Sequence, residues 1–385
     1  MVLRRNCTQI PCEIMQIMPT TTEDIRCKVG GQLSVPIHVE GENASIDERI
    51  HCIKSPALEL LANGPPYPSI IAPGRIPVIS KLFADVIFRR YRSSDSIWAL
   101  VLEDEPITYY PWGAEKRIFP LFDLTVGYDR ILYHVVTPAY LLRYKDKLTT
   151  SRASLNSTML AKTIKPDFVT SSVLWMNSNC YTPSHRTEYM KEFMSFMHVD
   201  AWGKCGNNKG KTLPYSIGRI HHCNFTGDFY KSNWIECKMT LSEYYPFTVA
   251  IENSIDHDYV TEKLWQALAA GSVPLYLGAP NIDEWLPCKN CIVDLRQFDS
   301  PSAAAKFVLS VASNASRYAE FHKWREQPVP PKFQEILDYF NRASAFSTDC
   351  MVCNMAHSDN PKLALHRILN SIGPVFGSRS VTNYS

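Results

Sequence analysis

The sequence has no strong excess of charge of either sign. Its 385 residues include 40 lysines and arginines and 38 acidic residues, which gives a formal net charge of +2 at pH 7. A protein that binds nucleic acid broadly over its surface is usually much more basic. The balance therefore excludes broad nucleic-acid binding as the main function and still permits a local basic pocket.

Long apolar segments are also missing. No run of about 18 apolar residues occurs, and the N-terminus has no apolar core of the kind found in signal peptides. Hydrophobic residues make up 45% of the chain and charged residues 20%, which is typical of a globular protein. The chain is too long for a single core, so we expect two domains of ordinary size.

Few of the 12 cysteines lie at the spacings that are typical of zinc sites. Cys7 and Cys12 form one close pair and Cys350 and Cys353 another, but neither has a companion pair or histidine at a standard zinc spacing. A local disulfide is the favoured interpretation of each pair. Six N-x-S/T sequons strengthen the case for the oxidising secretory pathway, at Asn6, Asn43, Asn156, Asn224, Asn314 and Asn383.

The most regular part of the sequence is a predicted strand, helix and strand in its second half. Phe247–Ile251 is a short apolar run, typical of a parallel strand that is buried on both faces. The apolar spacing predicts a helix over Tyr259–Ala270, with Asp258 as its N-cap. Val273–Leu277 predicts the next buried strand. Together they predict a βαβ unit.

Two cations fall in the first turns of predicted helices. Lys263 lies in the first turn of the helix just described, and Arg186 lies in the first turn of a helix predicted over Ser184–His198, after a strand at Ser171–Met176. A helix N-terminus disfavours cations, so a cation there is explained if it faces an anion such as phosphate. Ligands of open parallel sheets lie beyond the carboxyl ends of the strands. The two cations therefore predict a diphosphate clamp, with a surface salt bridge at each helix as the alternative.

The N-terminal half offers an acidic cluster at the end of a strand. A strand predicted over Ile97–Leu102 leads into Glu103, Asp104 and Glu105. A Rossmann-like domain would place a functional carboxylate there, and a solvated acidic loop is the alternative. We place the domain boundary near Pro166.

Three motifs follow one another in the second half: Glu252–Ser254, Asp258–Lys263 and Gly271–Gly278. In residues and order they closely resemble the motifs of the α1,3/α1,4-fucosyltransferases, glycosyltransferase family 10. The resemblance runs from about Ser171 to Cys353 and is nearest to the branch that contains fucosyltransferases ten and eleven.

The resemblance implies an α/β fold of the GT-B type, with two Rossmann-like domains facing across a cleft. We expect an N-terminal acceptor-side domain at residues 1–165, a GDP-fucose-binding domain at residues 166–345, and a CxxC segment and tail at residues 346–385. The implied reaction is inverting transfer of L-fucose from GDP-fucose to a hydroxyl of a glycoprotein glycan, in α1,3 linkage to GlcNAc. The alternatives are protein O-fucosylation on Ser or Thr of a folded domain and an inactive relative that binds GDP-fucose or glycans.

The resemblance also assigns roles to donor-binding residues. Arg186 and Lys263 are expected to bind the diphosphate. The other donor-binding candidates, for fucose, ribose or guanine, are Asn177, Glu252, Asn253, Tyr259 and Glu262.

The resemblance implies that a carboxylate of the acidic cluster acts as the general base. The family's Glu-Ser-Pro falls within Glu103–Pro106, which aligns Asp104 with the family's glutamate and Glu105 with its serine. Because aspartate is shorter by one methylene, a base at Asp104 is displaced by about 1 Å, enough to matter for a positioned proton transfer. Glu103 and Glu105 therefore remain alternative bases. These substitutions motivate the inactive alternative.

The resemblance implies no obligatory metal, with stimulation by Mn²⁺ left open. The alternative is a metal-dependent transferase, because Asp256 and Asp258 form a D-x-D sequence that suits Mn²⁺ and a diphosphate. Family members are typically type II membrane proteins. We therefore expect action in the Golgi lumen, or alternatively the ER lumen, with an N-terminal anchor missing from this sequence.

Overall fold

The structure is a computed structural model, and it describes residues 2–3, 97–102, 106, 108, 119, 122–137, 140–163, 166–210, 234–346, 351, 354–355 and 358–377. The chain divides into two compact units. The first unit combines Met1–Thr137 with Asp338–Ser385, and the second unit is Pro138–Leu337. The predicted disulfides Cys7–Cys12 and Cys350–Cys353 lie outside the described residues.

Nine strands are described, in chain order: β1 Val2–Leu3, β2 Ile97–Val101, β3 Leu124–Gly127, β4 Val135–Val136, β5 Val173–Trp175, β6 Asp200–Ala201, β7 Phe247–Ile251, β8 Val273–Leu277 and β9 Val293–Asp294. The described α-helices are α1 Leu141–Leu148, α2 Leu155–Thr163, α3 Arg186–Phe196, α4 Trp234–Tyr244, α5 Glu262–Ala269, α6 Pro301–Ala312, α7 Ala315–Glu320, α8 Pro331–Ala343 and α9 Pro361–Ile372.

The first unit contains a four-stranded sheet in the order β1-β2-β3-β4. β1 pairs antiparallel with β2, whereas β2, β3 and β4 pair in parallel. Tyr133 packs edge-on against Phe119, with 5.3 Å between the ring centroids. Gly127 is required beside this ring, because a Cβ at that position would overlap the Tyr133 side chain. Close packing of the strand end on an aromatic residue thus explains why β3 ends in glycine.

The second unit contains a five-stranded parallel sheet in the order β6-β5-β7-β8-β9. The central pair is the longest, since β7 and β8 are in register from Phe247 opposite Val273 to Ile251 opposite Leu277. Every residue of these two strands is buried. Both faces of the central strands are therefore covered, as expected for a parallel sheet.

Helices cover this sheet and are stabilised at their ends by local polar groups. α6 begins after Ser300, whose hydroxyl accepts a hydrogen bond from the Ala303 N–H, and Pro301 occupies its first turn. Lys162 on α2 donates to the carbonyls of Ser242 and Glu243, at distances of 3.0 and 2.5 Å. These two carbonyls lie in the last turn of α4, so a cation stabilises the negative end of that helix.

The predicted α/β class is confirmed, because both units are built on sheets with parallel strands. The second unit starts earlier than the predicted boundary near Pro166. It includes α1, which packs on α5, and α2, which packs on α4. Among the described residues, none of the helices combines the length and apolar character needed to span a membrane.

Candidate functional site

Polar residues cluster where β7 ends and the chain leaves the second sheet. Glu252 follows the last residue of β7 and stays at the sheet edge, because its N–H donates to the Leu277 carbonyl at 2.8 Å. Its side chain is fully buried. A Cβ on Gly278 would lie 2.6 Å from Glu252 Cγ and would also overlap the Tyr276 hydroxyl. Glycine at the end of β8 thus leaves room for a buried carboxylate.

Thr261 and Lys263 hold the Glu252 carboxylate. Glu252 Oε1 accepts from the Thr261 N–H at 2.8 Å, and Oε2 accepts from the Thr261 hydroxyl at 2.6 Å. Lys263 Nζ donates to the same hydroxyl at 2.8 Å and lies 3.3 Å from Glu252 Oε2 and 3.1 Å from Glu262 Oε1. Lys263 is 6% exposed. The alternative of a solvated surface salt bridge is therefore wrong for this lysine.

The start of α5 differs from the predicted one. The helix begins at Glu262 with Thr261 as its N-cap, and Asp258 is not the cap. Asp258 has a φ of 61°, which belongs to the left-handed region. Its Oδ1 accepts hydrogen bonds from Asn281 Nδ2 at 2.7 Å and from Trp285 Nε1 at 2.9 Å. The carboxylate is therefore used to fix the loop that follows β8.

Arg186 is the first residue of α3 and its guanidinium points to the end of β7. Nη1 donates to Asn253 Oδ1 at 2.6 Å and to the Ile251 carbonyl at 3.3 Å, and Nη2 donates to the Asn179 carbonyl at 2.6 Å. The residue is 2% exposed. Ser184 adds a second link, since its hydroxyl donates to the Glu252 carbonyl at 2.6 Å. The structure thus brings the two predicted cations to one edge of the sheet.

Charge interactions tie these groups together. Burial raises the pKa of Glu252. Burial also acts to raise the pKa of Glu262, but the charges of Lys263 and Lys238 outweigh it and the net pKa is lowered. Burial acts to lower the pKa of Lys263, but Glu262 and Glu252 together raise it above its ordinary value. Lys263 is therefore held as an ammonium ion.

Lys238 was not among the residues selected from the sequence. It lies on α4, is 2% exposed, and interacts electrostatically with Glu262, Lys263, Arg186 and Glu252. Its pKa is lowered to about 8, mainly by burial. The available sequence signal is only a lysine in a segment of mixed character, which does not distinguish a buried lysine from a solvated one.

The other donor-binding candidates differ in their surroundings. Asn177 is buried, and its Oδ1 accepts a hydrogen bond from Trp175 Nε1 at 2.8 Å. Tyr259 is 1% exposed, and its N–H donates to the Asp256 carbonyl. The assignment of both residues to donor binding stays a prediction.

A disulfide supports the loop before α3. It joins Cys180 to Cys205, and the Cys205 N–H donates to the Asn177 carbonyl at 3.1 Å. A second disulfide joins Cys288 to Cys291. The candidate bases Glu103, Asp104 and Glu105 lie outside the described residues, so their roles stay predictions.

Comparison with known proteins assigns the family. Residues 168–372, more than half of the chain, match the family model described as "Glycosyltransferase family 10 (fucosyltransferase) C-term". The chain belongs to glycosyltransferase family 10. The matched range contains the whole cluster from Arg186 to Lys263, and the predicted family is confirmed.

Similar proteins carry two kinds of name. GDP-fucose protein O-fucosyltransferase 3 of Xenopus laevis is 30% identical over 239 residues, covering 61% of this chain and 46% of the relative. Alpha-(1,3)-fucosyltransferase B of Drosophila melanogaster is 30% identical over 249 residues, covering 63% of this chain and 52% of the relative. The matched regions thus span about half the length of these relatives. A solved structure described as "Crystal Structure of alpha1,3-Fucosyltransferase" is 17% identical, with a TM-score of 0.42, over 63% of this chain and 70% of that chain.

Proposed function

We propose that this chain transfers L-fucose from GDP-fucose to a hydroxyl of a glycoprotein acceptor, with inversion at the anomeric carbon. The observation that carries the proposal is the buried charged cluster at the carboxyl end of β7. It lies within the range that matches family 10 and brings Arg186 and Lys263 to one sheet edge. That edge is where an open parallel sheet binds a nucleotide.

The proposed reaction separates binding from proton transfer. The acceptor hydroxyl attacks the anomeric carbon of fucose and passes its proton to a carboxylate among Glu103, Asp104 and Glu105. The bond from that carbon to the β-phosphate oxygen breaks, and its electron pair stays on GDP. Arg186 and Lys263 stabilise the negative charge that grows on the diphosphate.

We propose that no divalent metal is obligatory. Buried cations supply positive charge for the diphosphate, and Asp258 of the D-x-D sequence already accepts hydrogen bonds from Asn281 and Trp285. Activity that survives excess EDTA would support this proposal. Complete loss in EDTA, with recovery on adding Mn²⁺, would favour the metal-dependent alternative.

Two acceptor classes have support. Linkage of fucose in α1,3 to GlcNAc of a glycan is the first, and its α1,3 linkage agrees with the name of the Drosophila relative. Transfer to Ser or Thr of a folded protein domain is the second, and it is favoured by the similarity to protein O-fucosyltransferase 3. We place the reaction in the lumen of the Golgi or the ER, because the chain contains disulfides and sequons.

A transfer assay tests both donor and acceptor. Purified full chain is incubated with labelled GDP-fucose and three acceptor sets: LacNAc, N-glycan cores and folded protein domains. Incorporation into one set identifies the acceptor, and the linkage follows from glycosidase digestion or peptide mass spectrometry. Binding of GDP-fucose without transfer or hydrolysis would instead identify an inactive binding relative.

The same assay tests the proposed base. Asp104→Asn, Glu105→Gln and Glu103→Gln each remove one carboxylate. Loss of the true base should lower kcat by about 10²- to 10⁴-fold with little change in donor affinity. Full activity in all three variants would eliminate this cluster as the source of the base.

A further inference from the structure

We propose that Asn156 and Asn314 carry N-linked glycans, attached at the edge of the second sheet that lies opposite to the donor site. Each asparagine begins an N-x-S/T sequon, as Asn156-Ser157-Thr158 and Asn314-Ala315-Ser316. The inference rests on the luminal location that is part of the proposed function, and it adds a modification of two named residues. The other four sequons lie outside the described residues.

Both asparagines offer an amide nitrogen at the surface. Asn156 lies in the first turn of α2 and is exposed, and its side chain makes no hydrogen bond with any described residue. Asn314 is also exposed and is the N-cap of α7, where its Oδ1 accepts from the Arg317 N–H at 3.0 Å. Its Nδ2 donates to none of the described residues. A glycosylated amide keeps its carbonyl oxygen, so a glycan on Nδ2 leaves this cap intact.

The modification joins the asparagine nitrogen to C1 of the first sugar of a lipid-linked oligosaccharide diphosphate. The bond from C1 to the phosphate oxygen breaks, and its electron pair stays on the lipid diphosphate. The nitrogen gives up one of its two protons, so the amide keeps one N–H and stays neutral. Because this co-reactant belongs to the secretory pathway, the modification requires the luminal location.

The contacts of α7 place Asn314 near the amino edge of the second sheet. The Tyr318 N–H donates to the Asn314 carbonyl at 3.0 Å, so the two residues lie one turn apart. The Tyr318 hydroxyl donates to the Pro246 carbonyl at 2.9 Å, and its ring lies 5.5 Å from that of Phe247, the first residue of β7. Glu252 follows the other end of β7. At about 3.3 Å per residue, roughly 20 Å of chain separates Pro246 from Glu252.

The helix α2 reaches the same edge of the sheet. Thr158, the last residue of its sequon, is 4% exposed. A Cβ on Gly271 would lie 3.1 Å from Thr158 Cγ2, and Gly271 lies two residues before the start of β8. Residues two apart on a helix point to different sides, which explains why Asn156 is exposed and Thr158 is not. A glycan on either asparagine therefore leaves the carboxyl edge open to the donor.

Mass spectrometry of the protein purified from the cells that make it naturally tests the proposal. Peptide N-glycosidase in heavy-oxygen water converts an occupied asparagine to labelled aspartate, which distinguishes it from one that deamidated earlier. We expect the label at both Asn156 and Asn314. Label elsewhere in the chain, with either of these residues unlabelled, would overturn the proposal for that residue and leave the luminal location in place. No label at any sequon would overturn the luminal location, and the inference with it.

Variants of the full chain, secreted from animal cells behind a cleavable signal peptide, assign each glycan to its residue. Asn156→Gln removes the first sequon. For the second, Ser316→Ala is preferred to Asn314→Gln, because Ser316 is exposed and its replacement keeps the N-cap of α7. Each variant should lose the mass of one glycan, whereas Asn290→Gln, an exposed position outside any sequon, should lose none. An unchanged mass in either sequon variant would overturn the proposal for that residue.

Titration with GDP tests the placement of the glycans away from the donor site. Wild type before and after enzymatic removal of its glycans should bind GDP with affinities that differ by less than about twofold, since the two edges are separated by the length of β7. A larger difference would overturn this placement. Failure of both forms to bind GDP or GDP-fucose would contradict the proposed donor site, whereas glycans detected by mass spectrometry would still support the modification.

Discussion

Replacing Thr261 by valine tests whether one hydroxyl organises the candidate site. The Thr261 hydroxyl donates to Glu252 Oε2 at 2.6 Å and accepts from Lys263 Nζ at 2.8 Å. Thr261 is 1% exposed, so water does not replace these bonds readily. Valine has nearly the same shape and no hydroxyl, and the change therefore removes the hydrogen bonds without opening a large cavity.

The expected loss of stability depends on the contacts that Glu252 and Lys263 retain in the variant. Hydrogen bonds to charged groups contribute about 1.5–3 kcal/mol each. Glu252 still accepts from the Thr261 N–H, and Lys263 still lies beside two carboxylates, so neither charge is left alone. Two bonds are lost, but both charges keep other partners, so we expect the free energy of unfolding to fall by about 2–3 kcal/mol, less than the full sum for two such bonds. Because Lys263 loses a fixed contact, the KM for GDP-fucose should rise by about tenfold.

Two measurements on the full chain check this expectation. Urea unfolding gives the change in stability, and initial rates at varied GDP-fucose give KM and kcat. Thr261→Ser is the matched control, because it keeps the hydroxyl, and it should lie within about 1 kcal/mol of wild type. If Thr261→Val unfolds at the same urea concentration as wild type with an unchanged KM, the hydroxyl does not organise the site and the reasoning is refuted.

Three further variants address burial and packing in the second unit. Burial, helped by the charges of Arg325 and Lys162, lowers the pKa of His322 to about 3, so the unfolded chain binds a proton below pH 6.5 that the folded chain does not. Through this group, wild type should lose about 2 kcal/mol of stability between pH 7.5 and 5. Urea unfolding of His322→Gln should show a smaller loss over the same pH range. Equal losses would contradict the assignment of this pH dependence to His322. Lys162→Met should cost about 1–3 kcal/mol, because it removes the ammonium donor from two carbonyls of α4, and of these the Ser242 carbonyl keeps the Tyr245 N–H. The half-exposed Lys147→Met should cost little. Gly278→Ala should lower the melting temperature and the affinity for GDP together, because its Cβ would displace the Glu252 side chain; an affinity that stays at the wild-type value would show that Glu252 does not need its present position.

The parallel strands of the second unit were the most predictable part of the fold. The bounds of β7 and β8 are those predicted, Phe247–Ile251 and Val273–Leu277. Both strands are buried on both faces, so their sequences are continuous apolar runs, and such runs end where polar loops begin. Glu252 at one such end was predictable for the same reason.

The start of α5 was predicted wrongly for a physical reason. An aspartate before an apolar helical pattern is a good N-cap candidate, because its carboxylate suits the N–H groups of the first turn. In the structure that carboxylate binds Asn281 and Trp285, which lie more than 20 residues later in the chain. The sequence near Asp258 does not show that distant residues compete for its carboxylate. Because they do, the helix starts at Glu262 and not at the predicted Tyr259.

Lys238 and the Cys180–Cys205 disulfide could not be predicted from local pattern either. The disulfide joins residues 25 positions apart, and an even number of cysteines does not specify their pairing. Lys238 belongs to a helix whose buried face is decided by its contact with α5. A lysine is usually exposed, so only the packed structure identifies one that is buried.

The residues proposed for donor binding and those proposed as the base belong to different sequence ranges of the chain. Both proposed donor cations, Arg186 and Lys263, belong to the second unit, whereas the candidate bases at residues 103–105 belong to the sequence range of the first. An active transferase and an inactive relative would therefore share the same GDP affinity and differ in kcat. Because a missing base affects only the transition state, substitutions that impair residues 103–105 should leave the titration of GDP unchanged. Measuring binding and turnover on the same preparation thus identifies which half of the chain limits activity.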